Sequence, residues 1–243
     1  MSKYYMCSVS WGKDSLAMLL KLIELKEPID EVVFYDTGME FQAIYNLRDK
    51  VIPLLAKRNI KYTELKPKRA FRDTMYNYKR IKRDGSKSNG YGWCGGMCRW
   101  GTSEKISALD KYAKSLNAVV YIGIAADEKS RIAKERLKFK KMPLVEWGMN
   151  EEECLQYCYS KGYNWKENDI ELYSILSRVS CWCCRNKNLT ELKNYKLYLP
   201  QYYEKLKELE NIISEPMKKP TYLKDRFRFV QNDLFEKGNE NEW

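Results

Sequence analysis

The sequence predicts an α/β protein, a parallel sheet with helices on both faces and a helical C-terminal extension. Short runs rich in Val, Ile and Tyr alternate with segments of helical periodicity. Polar motifs at Ser10, Asp36 and Gly123 each stand at the carboxyl end of an expected strand, where ligands bind in open parallel sheets. The 243 residues are enough for one large core.

Tyr4 to Ser10 reads as a strand running into a turn at Gly12, after which Leu16, Leu19, Leu20 and Ile23 recur at helical spacing. Glu31 to Tyr35 is a second strand ending at Asp36-Thr37-Gly38, Phe41 to Leu55 a helix, and Ile60 to Leu65 a third strand. The polar stretch from Lys82 to Gly92 reads as an exposed loop with no packed role. Lys105 to Leu116 is a helix, Ala118 to Ile124 the best strand pattern in the chain, and Pro143 to Trp147 a shorter strand. Asn150 caps a helix reaching about Ser160, whose first-turn acids Glu151, Glu152 and Glu153 suit the helix dipole. From Asn186 the chain is helical and charged, Lys193 to Leu209 reads as a basic amphipathic helix, and the tail after Lys237 is expected to fray.

Lys and Arg number 44 against 33 Asp and Glu, an excess read as spread along the chain and suited to a nucleotide, a nucleic acid or an acidic protein. No leader pattern opens the sequence and no apolar run approaches the roughly 18 residues of a membrane span. A cytoplasmic protein without membrane contact is the expectation. Eight cysteines without such a leader favour thiolate ligands or redox chemistry over disulfides. With no histidine in the chain, imidazole catalysis and His-containing zinc sites are excluded.

A tight turn feeding a helix N-terminus suits phosphate. Here Gly12 allows close backbone approach, Ser10 and Ser15 offer hydroxyls, and Lys13 brings a point charge. The stretch lacks GxxxxGK[ST] and is therefore no Walker A loop. Asp14 admits two readings, an ordinary first-turn acid or a carboxylate that holds Mg2+ against a polyphosphate.

Cys94 and Cys98 flank two glycines, and Cys181, Cys183 and Cys184 follow about eighty residues later, Cys181 and Cys184 in CxxC spacing. Two such pairs form a four-thiolate pattern that iron–sulfur or zinc satisfies. Cys154, Cys158 and Cys7 read as core positions.

"SWGKDS" (Ser10 to Ser15) resembles the PP-loop, SGGxDS, of the N-type ATP pyrophosphatases. "VVFYDTGMEF" (Val32 to Phe41) and "GIAADEKSR" (Gly123 to Arg131) resemble further motifs of their phosphoadenosine phosphosulfate reductase branch. The resemblance spans about Tyr4 to Leu189 and implies an adenine nucleotide alpha hydrolase-like sheet of five parallel strands. It implies that Ser10, Gly12, Lys13, Asp14 and Ser15 surround a pyrophosphate, that Asp36, Thr37 and Gly38 border the nucleotide, and that Gly123 and Asp127 line the opposite lip. Lys13, Asp14 and Arg131 are the expected catalytic residues, Arg131 meeting an anionic group; its alternative is an ion pair at a solvated helix start. Trp11 stands where the family usually has glycine, and a large indole there can cover the phosphates or stack on a ring.

The resemblance also implies a [4Fe-4S] cluster, with zinc as the alternative, on Cys94, Cys98, Cys181 and Cys184. The family pattern is usually CC followed by CxxC, whereas this chain has CxxxC and CWCC, which leaves Cys183 as an alternative ligand and three or four ligands open. The chain divides into a PP-loop nucleotide-binding domain with the cysteine site over residues 1–185 and a helical extension over 186–243.

Sulfonucleotide reductases of this branch usually attack with a cysteine of a C-terminal ECGLH motif, and no cysteine or histidine follows Cys184 here. The leading expectation is therefore an enzyme that uses ATP and Mg2+ to adenylate its substrate, releases pyrophosphate and supports sulfur transfer, resembling the tRNA-thiolation and DNA-phosphorothioation members of the superfamily. Its partners are an adenine nucleotide, a nucleic acid (tRNA or DNA) or small-molecule acceptor, and a sulfur-donor protein. A sulfonucleotide reductase and a non-catalytic nucleotide-binding module are the alternatives, and monomer or homodimer is left open.

Overall fold

The chain enters the sheet at once: β1 (Tyr4–Val9) passes through a tight turn into α1 (Lys13–Glu24), followed by β2 (Glu31–Tyr35), α2 (Gln42–Ala56) and β3 (Lys61–Leu65). This computed structural model describes residues 3–93, 97–135, 138–213 and 217–218. A π-helical turn at Asp73–Asn77 leads to an antiparallel hairpin, β4 (Lys79–Ile81) and β5 (Lys87–Asn89), and a second π-helical turn, Arg99–Glu104, runs into α3 (Lys105–Ser115). Next come β6 (Ala118–Ile122), α4 (Lys129–Ile132), β7 (Lys140–Lys141), α5 (Pro143–Glu146) and α6 (Glu151–Ser160). A small hairpin, β8 (Lys166–Glu167) with β9 (Ile170–Glu171), then α7 (Leu172–Ile175), α8 (Leu189–Tyr198) and α9 (Pro200–Ile213) complete the described chain.

The main sheet has five strands in the order β3-β2-β1-β6-β7, and every adjacent pair is parallel. All five residues of β2 are buried, as expected of an inner parallel strand covered on both faces. Its alternation sorts the core. Val32 and Phe34 join Cys7, Val9 and the apolar faces of α1, α2 and α6 in one cluster, whereas Val33 and Tyr35 join Met6 and α3 residues Leu109 and Ala113 in another. The chain steps outward from β1 to β3 and then returns to place β6 on the other side of β1. The switch point therefore lies between the carboxyl ends of β1 and β6, where ligand crevices form.

Four expectations need correction. Pro143 to Trp147 is not a strand: Pro143 opens the short helix α5, at a position that needs no N–H, and the fifth strand is instead the pair Lys140–Lys141 beside β6. Lys82 to Gly92 is not a loop without a packed role. It forms the turn and returning arm of the β4–β5 hairpin, and a Cβ on Gly90 (φ +61°) would stand 1.9 Å from the Met75 carbonyl oxygen. Lys193 to Leu209 is two helices, since Pro200 starts α9 afresh after Leu199. Tyr195 and Tyr202 from these helices pack edge-on against Phe41 in the main hydrophobic cluster. Finally, the positive charge is concentrated rather than spread, as set out below. The tail after Lys237 lies outside the described residues. Among the described residues no helix is long and apolar enough to cross a membrane.

Candidate functional site

The turn between β1 and α1 is held from several directions. Trp11 adopts φ +60°, uncommon for a bulky residue, and Trp165 donates its indole N–H to the Trp11 carbonyl at 2.7 Å. The Trp11 side chain turns into the core, fully buried, with its ring edge-on to Phe34 and tilted against Tyr62. This overturns its expected place over the phosphates: the indole is spent on packing, and only the backbone of Trp11 belongs to the turn. Ser15 Oγ donates to the Gly12 carbonyl, the Ser10 N–H donates to Ser15 Oγ, and the two serine hydroxyls lie 3.1 Å apart. The serines brace the turn on itself. Tyr173 Oη accepts the Lys13 N–H at 2.9 Å.

Gly123, just past β6, closes on this turn from the neighbouring strand. A Cβ there would stand 2.7 Å from Ser15 Cα and 2.8 Å from Ser15 N, distances no side chain can occupy. Gly123 and the first residues of α1 thus meet at the switch point, with Ser10 at the end of β1 and Asp36 at the carboxyl end of the strand alongside.

Lys13 is 7% exposed, and its Nζ lies 2.9 Å from Asp14 Oδ1 and 2.5 Å from Glu151 Oε2. Burial opposes its charge, but the two carboxylates outweigh burial and raise its pKa. Burial pushes the Asp14 carboxyl up; Lys13 counters this in part, while Glu151 and Glu128 add to it. Glu151 is the residue sequence reasoning missed. It was read as a dipole-stabilising first-turn acid, and nothing in local spacing signals a partner 138 positions away. The Asp127 carboxylate accepts the Glu151 N–H at 3.2 Å, which ties the loop after β6 to the start of α6. Arg131 is 52% exposed and its Nη1 donates to both oxygens of Glu128, at 2.7 and 2.6 Å. The structure thus contains the ion pair that was the alternative for Arg131, with Arg178 3.8 Å from the same carboxylate.

The loop after β2 reaches toward the cysteines. Asp36 Oδ1 accepts the Gly38 N–H and the Tyr45 hydroxyl, each at 2.8 Å. Buried Thr37 donates to Glu40 Oε1 at 2.8 Å, and its hydroxyl lies 3.6 Å from Cys181 Sγ. The Cys181 thiol is 3.7 Å from the same Glu40 oxygen, and the Trp182 N–H donates to the Met39 carbonyl. The segment entering Cys181 also crosses the turn after β1, with the Val179 carbonyl 3.7 Å from where a Cβ on Gly12 would stand. The turn after β1 and the cysteine segment are therefore neighbours.

Cys98, Cys181, Cys183 and Cys184 line one cavity of about 130 Å³, together with Phe71, Met75, Trp93 and Trp100. A Cβ on Gly101 would stand 3.7 Å from Cys98 Sγ and 3.9 Å from Cys181 Sγ, so the missing side chain leaves room between the two sulfurs. The Gly101 N–H donates to Cys98 Sγ at 3.2 Å. Burial pushes the Cys181 and Cys183 thiols up. Cys94 lies outside the described residues, and among the described residues no three Cys, Asp or Glu side chains are gathered closely enough for a single metal ion. Cys7, Cys154 and Cys158 are buried in the core.

An open parallel sheet with a glycine-cradled turn at its switch point defines an α/β nucleotide-binding protein of Rossmann-like layout. Residues 4–180 match the model of the phosphoadenosine phosphosulfate reductase domain, and the chain belongs to that family. It is 25% identical over 235 residues to an uncharacterized protein of Methanocaldococcus jannaschii, MJ0066. The match covers 88% of this chain and 42% of that protein, so the chain spans about two-fifths of the relative's length.

Proposed function

We propose that the protein is a PP-loop enzyme that cleaves ATP between its α- and β-phosphates, adenylating an acceptor and releasing pyrophosphate in support of sulfur transfer. The observation that carries this reading is the arrangement of Lys13, Asp14 and Glu151 beside a turn on which Gly123 closes. A buried ammonium compensates phosphate charge, and the flanking carboxylates are the hard oxygen donors that Mg2+ takes alongside a polyphosphate. When bound, Mg2+ would neutralise charge gathering on the departing pyrophosphate. The acceptor's nucleophilic atom attacks the α-phosphorus, the bond to the bridging oxygen of the β-phosphate breaks, and its electron pair leaves on pyrophosphate beside Lys13. Ser10 and Ser15 keep the turn in shape, and Asp36, Thr37 and Gly38 border the nucleotide.

Cys98, Cys181 and Cys184, with Cys183 as alternative and Cys94 completing the set, are the thiols that would hold an iron–sulfur cluster, with zinc as the alternative occupant. The cluster would supply sulfur or electron chemistry at the acceptor's edge of the sheet. Outside that cavity the described cysteines, Cys7, Cys154 and Cys158, are buried in the core, where none of the three can reach a sulfonucleotide, which supports adenylation over reduction. The acceptor is a nucleic acid or a small molecule, and the sulfur comes through a donor protein.

The test is incubation of anaerobic protein with ATP and Mg2+, and separately with adenylylated sulfates and a thiol donor. Mg2+-dependent pyrophosphate release, with an equal amount of AMP as water takes the place of the absent acceptor, lost in Lys13→Ala, is the expected result. Sulfite release without pyrophosphate, or nucleotide binding without turnover of either substrate, overturns the reading.

A further inference from the structure

Residues 66–99 contain ten Lys or Arg against two Asp, a surplus of eight out of the chain's net +11. This stretch is the π-helical turn at Asp73–Asn77, the β4–β5 hairpin and the approach to Cys98. Among the described residues its only ion pair is Lys66 with Glu64, at 3.6 Å. Like charges gathered without counterions repel one another, so the fold concentrates here a charge that a bound polyanion would neutralise.

The cations are interleaved with ring faces. Tyr78 and Tyr91 stack at 6.0 Å with 18° between their planes, Arg69 lies 4.3 Å over Tyr78, and Arg80 and Arg99 lie 4.5 and 5.5 Å over Tyr91. Arg80 is further steadied by Ser88 Oγ at 2.8 Å. The platform is firmly based, because the Gly90, Tyr91 and Gly92 N–H groups donate to the Tyr78, Thr74 and Met75 carbonyls. Met75 and Trp93 at that base are also walls of the cysteine cavity. The platform and the cavity are two sides of one piece of structure.

A single nucleic-acid strand alternates phosphates with flat bases, the chemistry that a cationic surface of half-buried rings and stacked guanidinium planes takes. An acidic peptide brings charge without planes, and a membrane surface calls for a broad apolar face, whereas the large exposed apolar side chains of this stretch are Ile81 and Met97, at 73% and 71%. We propose that the hairpin and its tyrosine–arginine stack form a docking surface for single-stranded nucleic acid, directing the strand toward the cysteine cavity. That the bound strand is the acceptor rests on the adenylation reading, whereas the binding itself does not.

The test is fluorescence anisotropy of the full chain with labelled single-stranded RNA and DNA oligonucleotides, without ATP, across a salt series. Lys82→Glu, Arg83→Glu and Lys87→Glu together are expected to weaken binding at least about tenfold and to reduce the log–log salt slope by roughly 2, at about 0.7 per phosphate contact. Tyr91→Ala is expected to weaken binding by roughly tenfold with a smaller change of slope. The control carries Lys26→Glu, Lys57→Glu and Arg58→Glu, the same charge change at the opposite, amino-terminal edge of the sheet, and is expected to stay within about twofold of the parent. RNA binding more tightly than DNA, or the reverse, names the source of the strand. Equal losses in the two triple variants, no loss in the hairpin variant, or displacement by polyglutamate as effective as by unlabelled strand overturns the proposal. Strand binding by a protein inactive toward ATP would sink the proposed reaction and leave the surface standing.

Discussion

Lys13 Nζ lies 2.5 Å from Glu151 Oε2, an ion pair that fastens the turn after β1 to the first turn of α6. With Asp14 on its other side, Lys13 is already neutralised, and an arriving phosphate must compete with a carboxylate for it. Glu151→Gln removes one negative charge from the phosphate's path and leaves Lys13 paired with Asp14. Calorimetry should find metal-free ATP bound about three- to tenfold more tightly, the order of one partly exposed charge pair, with a smaller benefit from added Mg2+. Unchanged affinity in both conditions would show that Glu151 only holds the helix in place.

Gly123 makes a different demand. The atoms a Cβ would meet are Ser15 backbone, not the yielding end of a side chain, so Gly123→Ala must push β6 and α1 apart. A loss of about 1–3 kcal/mol is expected from overpacking, read as a lower urea midpoint. Nucleotide affinity should fall under conditions where the variant is still fully folded, since the displaced atoms belong to the phosphate turn.

The central sheet is legible because its strands carry their burial in their composition: Val32, Val33 and Phe34 are apolar in succession as a doubly covered strand must be. The α6 start was equally plain, and Asn150 and Glu153 exchange both capping hydrogen bonds. What escaped reading lacks a local pattern. Lys140 and Lys141 form a strand through backbone pairing alone, and Pro-Leu-Val-Glu-Trp is a short apolar run that reads like a strand although Pro143 starts a helix. The β4–β5 hairpin faces water along much of its length, so no alternation marks it. Of the candidate site, the turn after β1 is visible as a motif, whereas Glu151 enters by a contact that only the tertiary fold creates.

The cysteines divide by environment. Cys98 and Cys181 face the space beside Gly101, while Cys154 is buried between α6 and the core. Cys98→Ser and Cys181→Ser, prepared without oxygen, should each lose most of the bound iron and acid-labile sulfide, or zinc, and any visible absorbance, because a hydroxyl is a poor substitute for a thiolate ligand. Cys154→Ser should keep its metal content. Full metal content in Cys98→Ser would remove that residue from the ligand set.

Trp11 separates packing from ligand contact. Trp11→Gly relieves the left-handed backbone, a gain of about 1 kcal/mol, but deletes a fully buried indole, a loss of about 3–5 kcal/mol. The variant should therefore be less stable by roughly 2–4 kcal/mol in denaturant titrations, the difference of those two effects. An indole serving as a cover for the phosphates would give the opposite signature, unchanged stability with weakened nucleotide binding.

Glu31 supplies the pH test. Burial alone would raise its carboxyl, but hydrogen bonds from Thr63, Lys61 and Tyr112 outweigh burial and hold it below the ordinary glutamate value. An acid with a depressed folded pKa stabilises fully above its unfolded value, and that contribution drains away as pH falls through the folded one. Asp14 and Glu40 act the other way: burial raises both, so they cost stability as pH climbs through their folded values. Comparing the parent with Glu31→Gln cancels those opposing groups, which are present in both proteins. At neutral pH the variant should be less stable by about 1–3 kcal/mol, the loss of charged hydrogen bonds at a buried group. The gap should narrow in urea titrations carried down below the ordinary glutamate value, as the parent's Glu31 takes up its proton. A gap that stayed constant across that range would mean that packing at position 31, rather than its charge, holds the amino-terminal edge of the sheet together.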